Sequence, residues 1–421
     1  MPILNTSNYT KHALFGFAKI VSFCVLACMA NIIAAGTASA QCVSITSYGG
    51  GPTSTGIMNV TALANAFAAL PTNGGCISYP AGKSTFASSV TLSVPTSPPN
   101  HIYSLTILGS GADSAILYFP TSDGIAINTS AATQSVHVRD LTFSTGTAGG
   151  TTALTVQNSV GLGAIYGSDI FRTAFRGDDG GGLVDYWGTG VNIVGQSNVN
   201  FDSVNFLGNS SGNGGVGISL SGNTGAANSP YGVIYNIAKC GFDFINVGIQ
   251  IGTYVQGVTV TQSNFTNGVN SGIWAQPGGV GLNELAVTGG NQFATGGPKD
   301  ALPGNDIIIQ QPINNLIVTG NLFFVPPTGS GIFLDSVPAT GGYGTIANNV
   351  FESGQGSIGA YGIYVATSNP NTVVTGNVFE DLTTGINLVG TSGWNVQANT
   401  YLAVGTHVAA IGSNSVGVAT Q

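Results

Sequence analysis

The segments VTGNLF (318–323), IANNVF (346–351) and VTGNVF (374–379) repeat one another, and their last residues are 28 apart. VTGGNQF (287–293) ends 30 residues before Phe323, and VTQSNF places Phe265 another 28 residues upstream. Phe206 in VNFDSVNF and Phe143 in VRDLTF extend the series toward the amino terminus. After most of these aromatics comes a polar turn and then a strand opening on Gly-Ile: GISL (217–220), GIQI (248–251), GIWA (272–275), GIFL (331–334), GIYV (362–365) and GINL (385–388).

Short alternating strands that recur at one interval, with no helices between them, describe a solenoid in which each repeat is one coil. Val, Ile and Phe point inward and stack on their counterparts, with coils about 4.8 Å apart. About ten coils are expected. The fold class is therefore all-β, a right-handed parallel β-helix. A β-sandwich predicts strands every 8–12 residues but no echo every 28. Asn291, Asn321, Asn349 and Asn377 share one position of the repeat and are expected to form an amide ladder at a turn.

Composition agrees. There are 64 glycines in 421 residues without a triplet period, which excludes collagen, and 43% hydrophobic content excludes ordinary disorder. Residues 1–40 read as a signal peptide: Lys11 and Lys19 precede an apolar run that ends in ASA, so cleavage is expected before Gln41. The expected location is secreted, periplasmic or cell-surface, with no membrane span in the mature chain. Removing Lys11 and Lys19 from 8 basic residues, against 16 acidic ones, leaves a charge of −10. Such a surface disfavours nucleic acid. Of the cysteines that remain, Cys42 and Cys76 can pair and fasten the amino-terminal segment, leaving Cys240 as a buried thiol. The organisation read from the chain is a cap and first coils at 41–120, a β-helix at 121–405 and a tail at 406–421. Val60, Leu63, Phe67 and Leu70 fall on one helical face and are expected to cap the core.

GGCISYPAGKSTFASSVTL (74–92) and SLTILGSGADSAILYF (104–119) resemble the opening of parallel β-helix proteins of the pectate lyase superfamily, including the rhamnogalacturonase- and epimerase-like group, relatives of glycoside hydrolase family 28 and phage tailspikes. The resemblance spans residues 45–405. It implies a polysaccharide partner, and, through the tailspikes, a homotrimer. The acidic lead-in that the family places before its capping helix is missing here.

Against a chain that is only 6% charged, FRTAFRGDDGGGLVDYW (171–187) gathers Arg172, Arg176, Asp178, Asp179 and Asp185. Polygalacturonase-like members carry Gly-Asp-Asp at this turn, so the resemblance assigns acid–base roles to Asp178 and Asp179. Glycoside cleavage needs one carboxyl protonated and one ionised. Arg172 and Arg176 would hold a carboxylate, and Asp185, Tyr186 and Trp187, with His137 and Arg139 one coil earlier, are expected to reach the same patch. The family's Asn-Thr-Asp, Gly-His-Gly and Arg-Ile-Lys motifs are absent. Lyases of this fold use calcium, which acids such as Asp178 and Asp179 could hold; no cofactor is otherwise implied.

A second group is Glu352, Glu380 and Asp381. The two glutamates share a register one coil apart, which suits either the ~5 Å carboxyl separation of a retaining glycosidase or calcium. Stacked acids at a solvated turn also deter edge pairing. Trp274, Phe333 and Tyr364 occupy the outward position of three of four successive Gly-Ile strands, as a sugar-binding platform or a subunit contact. The expected function is cleavage of an acidic polysaccharide by paired carboxylates. The alternatives are a non-catalytic glycan-binding or spike-like β-helix and a calcium-dependent lyase.

Overall fold

The computed structural model describes residues 42–71, 74–96, 103–161, 167–179, 184–210, 214–227, 229–278, 280, 282–295, 304–335, 342–353, 358–367, 371–412 and 417–419. The segment 1–40, expected to be a signal peptide, lies outside the described residues.

Three parallel sheets run the length of the chain, one of 14 strands and two of 12. Each coil contributes one strand to each sheet. In one coil these are Ile313–Thr319 in the first sheet, Leu322–Val325 in what we call the phenylalanine sheet, and Ser330–Leu334 in the Gly-Ile sheet. Every strand then pairs in parallel with the equivalent strand of the next coil, as Phe323 does with Phe351 and Phe351 with Phe379. This is a right-handed parallel β-helix. Among the described residues twelve coils carry a strand in all three sheets, rather than about ten, because the spacing of the stacked aromatics ranges from 22 to 36 residues and the upstream coils escape a fixed 28-residue period.

The quoted hexapeptides are not single strands; they turn a corner. Thr319 ends one strand, Gly320 takes a φ of 69°, and Leu322 opens the next. Gly376 (φ 67°) and Asn348 (φ 55°) hold the same place, where only residues tolerant of the left-handed region are cheap. The following asparagine is buried. The Asn321 backbone N–H and Nδ2 both donate to Asn349 Oδ1 at 3.0 Å, and Asn349 donates likewise to Asn377. Each side chain also donates to a carbonyl one coil back, as Asn349 does to Val318 at 2.9 Å. The ladder begins earlier than its asparagines: Ser263 N–H donates to Asn291, and Cys240 N–H to Ser263 Oγ.

Inside, ten rings from Phe143 to Tyr401 stack on successive coils, with centroids 4.6–5.2 Å apart and planes within 10° of parallel. The glycine of each Gly-Ile strand makes room for a ring edge. A Cβ on Gly331 would lie 2.7 Å from the Phe351 ring, and one on Gly362 2.5 Å from Phe379. The repeat motif is thus a packing rule, Gly against Phe.

Helix Gly56–Ala68 caps the amino-terminal end, with Thr55 as its N-cap. Its buried residues are Asn59, Ala62, Leu63 and Ala66, while Val60 and Phe67 pack only partly buried against the core. Asn59 shifts the face: its amide binds both backbone groups of Gly51 and donates to Thr85 O at 2.7 Å. A disulfide joins Cys42 to Cys76, register partners on adjacent strands, and Cys240 is a buried free thiol. The stack passes residue 120 without division, since Ser104–Leu108 pairs with Ser135–Arg139. Residues expected to form a tail continue the last coil instead: Thr406–Ile411 pairs with Leu382–Val389.

Candidate functional site

The charged turn does not assemble as expected. Arg172 stands at a corner (φ 46°) and reaches Asp140, the corner residue of the previous coil, at 2.7 Å. Arg176 lies on the phenylalanine sheet, 3.6 Å from Asp113. Neither arginine forms an ion pair with Asp178 or Asp179 among the described residues. Asp178 is paired with Lys83 at 2.7 Å, and the same ammonium lies 3.9 Å from the centre of the Tyr118 ring. Asp179 folds the loop back by accepting the N–H groups of Val184 (2.8 Å) and Asp185 (3.3 Å). Residues 180–183 lie outside the described residues. Trp187 is only 4% exposed; its Nε1 donates to Phe143 O and its ring meets Phe119 edge-on. It is a core residue and offers no face to a sugar.

Within this turn the Asp185 carboxyl is raised, by burial and then by the charges of Asp179 and Asp178. Sequence order made it a binding residue.

His137 and Arg139 sit on the first sheet, in register with Asp169 and Phe171 of the next coil. His137 Nδ1 is 2.6 Å from Asp169 Oδ2, and Arg139 donates from Nε to Asp169 Oδ1 at 2.6 Å. Asp169 went unremarked in the sequence; the signal was its place one coil after His137 at the same outward position.

Glu352 and Glu380 are register partners, half-buried in one outward column of the phenylalanine sheet between Phe324 and Leu402. Asp381 is exposed at the next corner (φ 53°), where its carbonyl accepts the Gly359 N–H. Among the described residues no group of three or more His, Cys, Asp or Glu side chains could hold a metal ion.

The Gly-Ile sheet presents the aromatic column. Gln250, Trp274, Ile308, Phe333, Tyr364 and Asn387 follow one another coil by coil at one outward position. Phe333 and Tyr364 stack at 5.5 Å, and the Tyr361 ring sets its edge 4.9 Å from Tyr364. Trp274 Nε1 donates to Gln310 at 2.9 Å, which holds the indole in place. At the column's end Asn387 is 8% exposed, with Oδ1 lacking a hydrogen-bond partner.

No family model matches the chain, and no curated protein matches it by sequence. Solved structures match over most of its length. The A-module of the Azotobacter vinelandii mannuronan C-5 epimerase AlgE4 is 12% identical with a TM-score of 0.57, covering 90% of this chain and 100% of that one. Tailspike protein 3 of bacteriophage CBA120 is 12% identical (TM-score 0.53), and the gp42 tailspike of Acinetobacter phage vb_AbaP_AS12 is 11% identical (TM-score 0.51); each covers 90% of this chain. This is a parallel β-helix protein. The chain spans only 62% and 61% of the two tailspikes, and at these identities the likeness is one of fold.

Proposed function

We propose that the protein is an exported glycan-binding β-helix that holds a polysaccharide chain along the aromatic column of the Gly-Ile sheet. The carrying observation is the alignment of Trp274, Phe333 and Tyr364 at one outward position, with two of the rings already stacked. Side chains repeating one per coil, about every 4.8 Å, offer a row of aromatic edges, with Ile308 between Trp274 and Phe333, to a sugar chain running parallel to the coil axis. The charge pattern favours a neutral glycan over a uronate. Among the described residues Lys83, Arg139, Arg172, Arg176 and Lys239 each already face an aspartate, so binding a sugar carboxylate at any of them would cost a pair. The mannuronan named for the epimerase A-module lends support to a glycan partner on this architecture.

A second reading, cleavage of the bound chain, is favoured by the raised carboxyl of Asp185 beside Asp178 and Asp179. There Asp185 donates the proton and Asp179 acts as the ionised partner. Glu352 and Glu380 are the alternative pair, six coils away along the phenylalanine sheet.

One experiment separates these readings. Neutral and acidic polysaccharides are titrated with and without calcium, while reducing ends and unsaturated uronate absorbance are followed. Trp274→Ala, Phe333→Ala and Tyr364→Ala should each weaken binding roughly tenfold, about 1.4 kcal/mol. Binding that ignores all three ends the platform reading. Product formation that disappears in Asp185→Asn or Asp179→Asn but persists in Glu380→Gln assigns cleavage to the turn, and the reverse pattern assigns it to the glutamates.

A further inference from the structure

Strand Ser135–Arg139 buries Val136 and Val138, so Ser135, His137 and Arg139 lie on the outward side of the first sheet. His137 is contacted on both ring nitrogens. Nδ1 is 2.6 Å from Asp169 Oδ2, and Nε2 is 3.2 Å from Ser135 Oγ. Asp169 is gripped by Arg139, whose Nε and Nη2 donate to its two oxygens at 2.6 and 2.5 Å. Burial alone would raise the Asp169 carboxyl, but the hydrogen bonds from His137 and Arg139 outweigh it and hold the group below the usual carboxylate range. In the tautomer protonated at Nδ1, which donates to Asp169, Nε2 faces the Ser135 hydroxyl as an acceptor. The Tyr103 carbonyl, 3.5 Å from Oγ, is a longer alternative acceptor for that hydroxyl.

A hydroxyl, an imidazole and an orienting carboxylate in series form the arrangement that activates a serine, whatever the fold. We propose that Ser135, His137 and Asp169 hydrolyse acyl esters, with Ser135 as nucleophile, His137 as general base and Asp169 as positioning residue. The natural substrate class is a sugar carrying a short O-acyl group, a choice of leaving group that rests on the glycan reading above. In the first half-reaction Ser135 Oγ bonds to the acyl carbon and its proton passes to Nε2. The bond from acyl carbon to sugar oxygen then breaks, and Nε2 returns the proton to that oxygen. Water, deprotonated by Nε2, attacks the acyl-serine; the carboxylic acid leaves and Oγ regains a proton. The net change is ester plus water to acid plus alcohol, with no other reactant.

The surroundings limit the substrate. Ser104 and Thr106 are the register partners of Ser135 and His137 one coil earlier, and in this proposal their hydroxyls are the groups that donate to the developing oxyanion. Ser135 is only 4% exposed, so an acyl group must be small to approach Oγ. Acetyl esters should be preferred over butyryl esters.

The test uses the full chain and p-nitrophenyl acetate, with p-nitrophenyl butyrate as the size control. A fluorophosphonate probe is read by intact mass and peptide mapping. The wild type should hydrolyse the acetate faster and take up one phosphonyl group on Ser135. Ser135→Ala should lose both the label and on the order of 1,000-fold in rate, while circular dichroism confirms its fold. Asp169→Asn should lower kcat with KM nearly unchanged, an effect a merely structural residue would not confine to kcat. Absence of labelling, or hydrolysis that survives in Ser135→Ala, overturns the proposal. The aryl ester contains no sugar, so failure here leaves the glycan reading standing, and failure of glycan binding leaves this result untouched.

Discussion

Asp306 occupies a position that other coils give to glycine. In the register of the Gly-Ile sheet it follows Gly272 and precedes Gly331, where those glycines leave space for phenylalanine rings. The side chain is fully buried; Thr295 Oγ1 donates to one oxygen at 2.5 Å, and the other has no hydrogen-bond partner. Burial pushes its carboxyl up to about 8 from the ordinary 3.8. The sign follows from proton counting. Between these values the folded protein holds a proton that the unfolded chain has released, so stability falls as pH rises from about 4 to about 8 and levels off above. Asp306→Gly, restoring the column's usual residue, should flatten that slope and raise the melting temperature at pH 8, with little effect at pH 4. Melting curves at pH 4, 6 and 8 for both proteins check this, and an unchanged slope would show that Asp306 does not titrate in this range. Acidic character at 306 is plain in the sequence; its burial is not, since nothing in NDIII marks the aspartate as standing in the glycine column.

At the scale of the element, the corner between the first sheet and the phenylalanine sheet is held by side chains rather than by a tight turn alone. Asn349 accepts the Asn321 backbone N–H and side-chain amide and donates to Val318 O. Asn349→Ala strands these buried groups, each at a cost of about 1–3 kcal/mol. We expect a total loss near the upper part of that range or above it, measured by urea unfolding. Asn349→Ser should recover part of it, because Ser263 fills the same column and both accepts and donates there. The four asparagines were legible as a ladder because they recur with the period of the coil. Its continuation through Ser263 to Cys240 was not, since the upstream coils have irregular lengths and residues of other chemistry serve there.

For the whole molecule, a stack of coils each touching only its neighbours has stability that sums along the axis, so a local loss frays one end instead of melting the rod. The Cys42–Cys76 disulfide ties the first strand of the first sheet to its neighbour. Reduction should cost about 2–4 kcal/mol, confined to this end. Hydrogen exchange should speed up in strand Cys42–Ser44 and helix Gly56–Ala68, and remain slow through the Phe323 and Phe351 coils. Uniform acceleration would contradict nearest-neighbour behaviour.

What the amino-acid sequence determined alone is everything that obeys the repeat: parallel coils, inward phenylalanines, the asparagine ladder, the register pairing of Glu352 with Glu380 and the outward aromatics at Trp274, Phe333 and Tyr364. In a solenoid, equal spacing along the chain becomes vertical adjacency, so periodicity is itself a contact map. The partners of the charged groups were decided only by the tertiary structure. Lys83 meets Asp178 across 95 residues, Arg172 turns back to Asp140, and Trp187 dives into the core. Arg172 and Asp140 are corner residues one coil apart, so that pair follows the stacking once the coil length is known. The reach of Lys83 to Asp178 and the burial of Trp187, by contrast, are encoded by no local pattern.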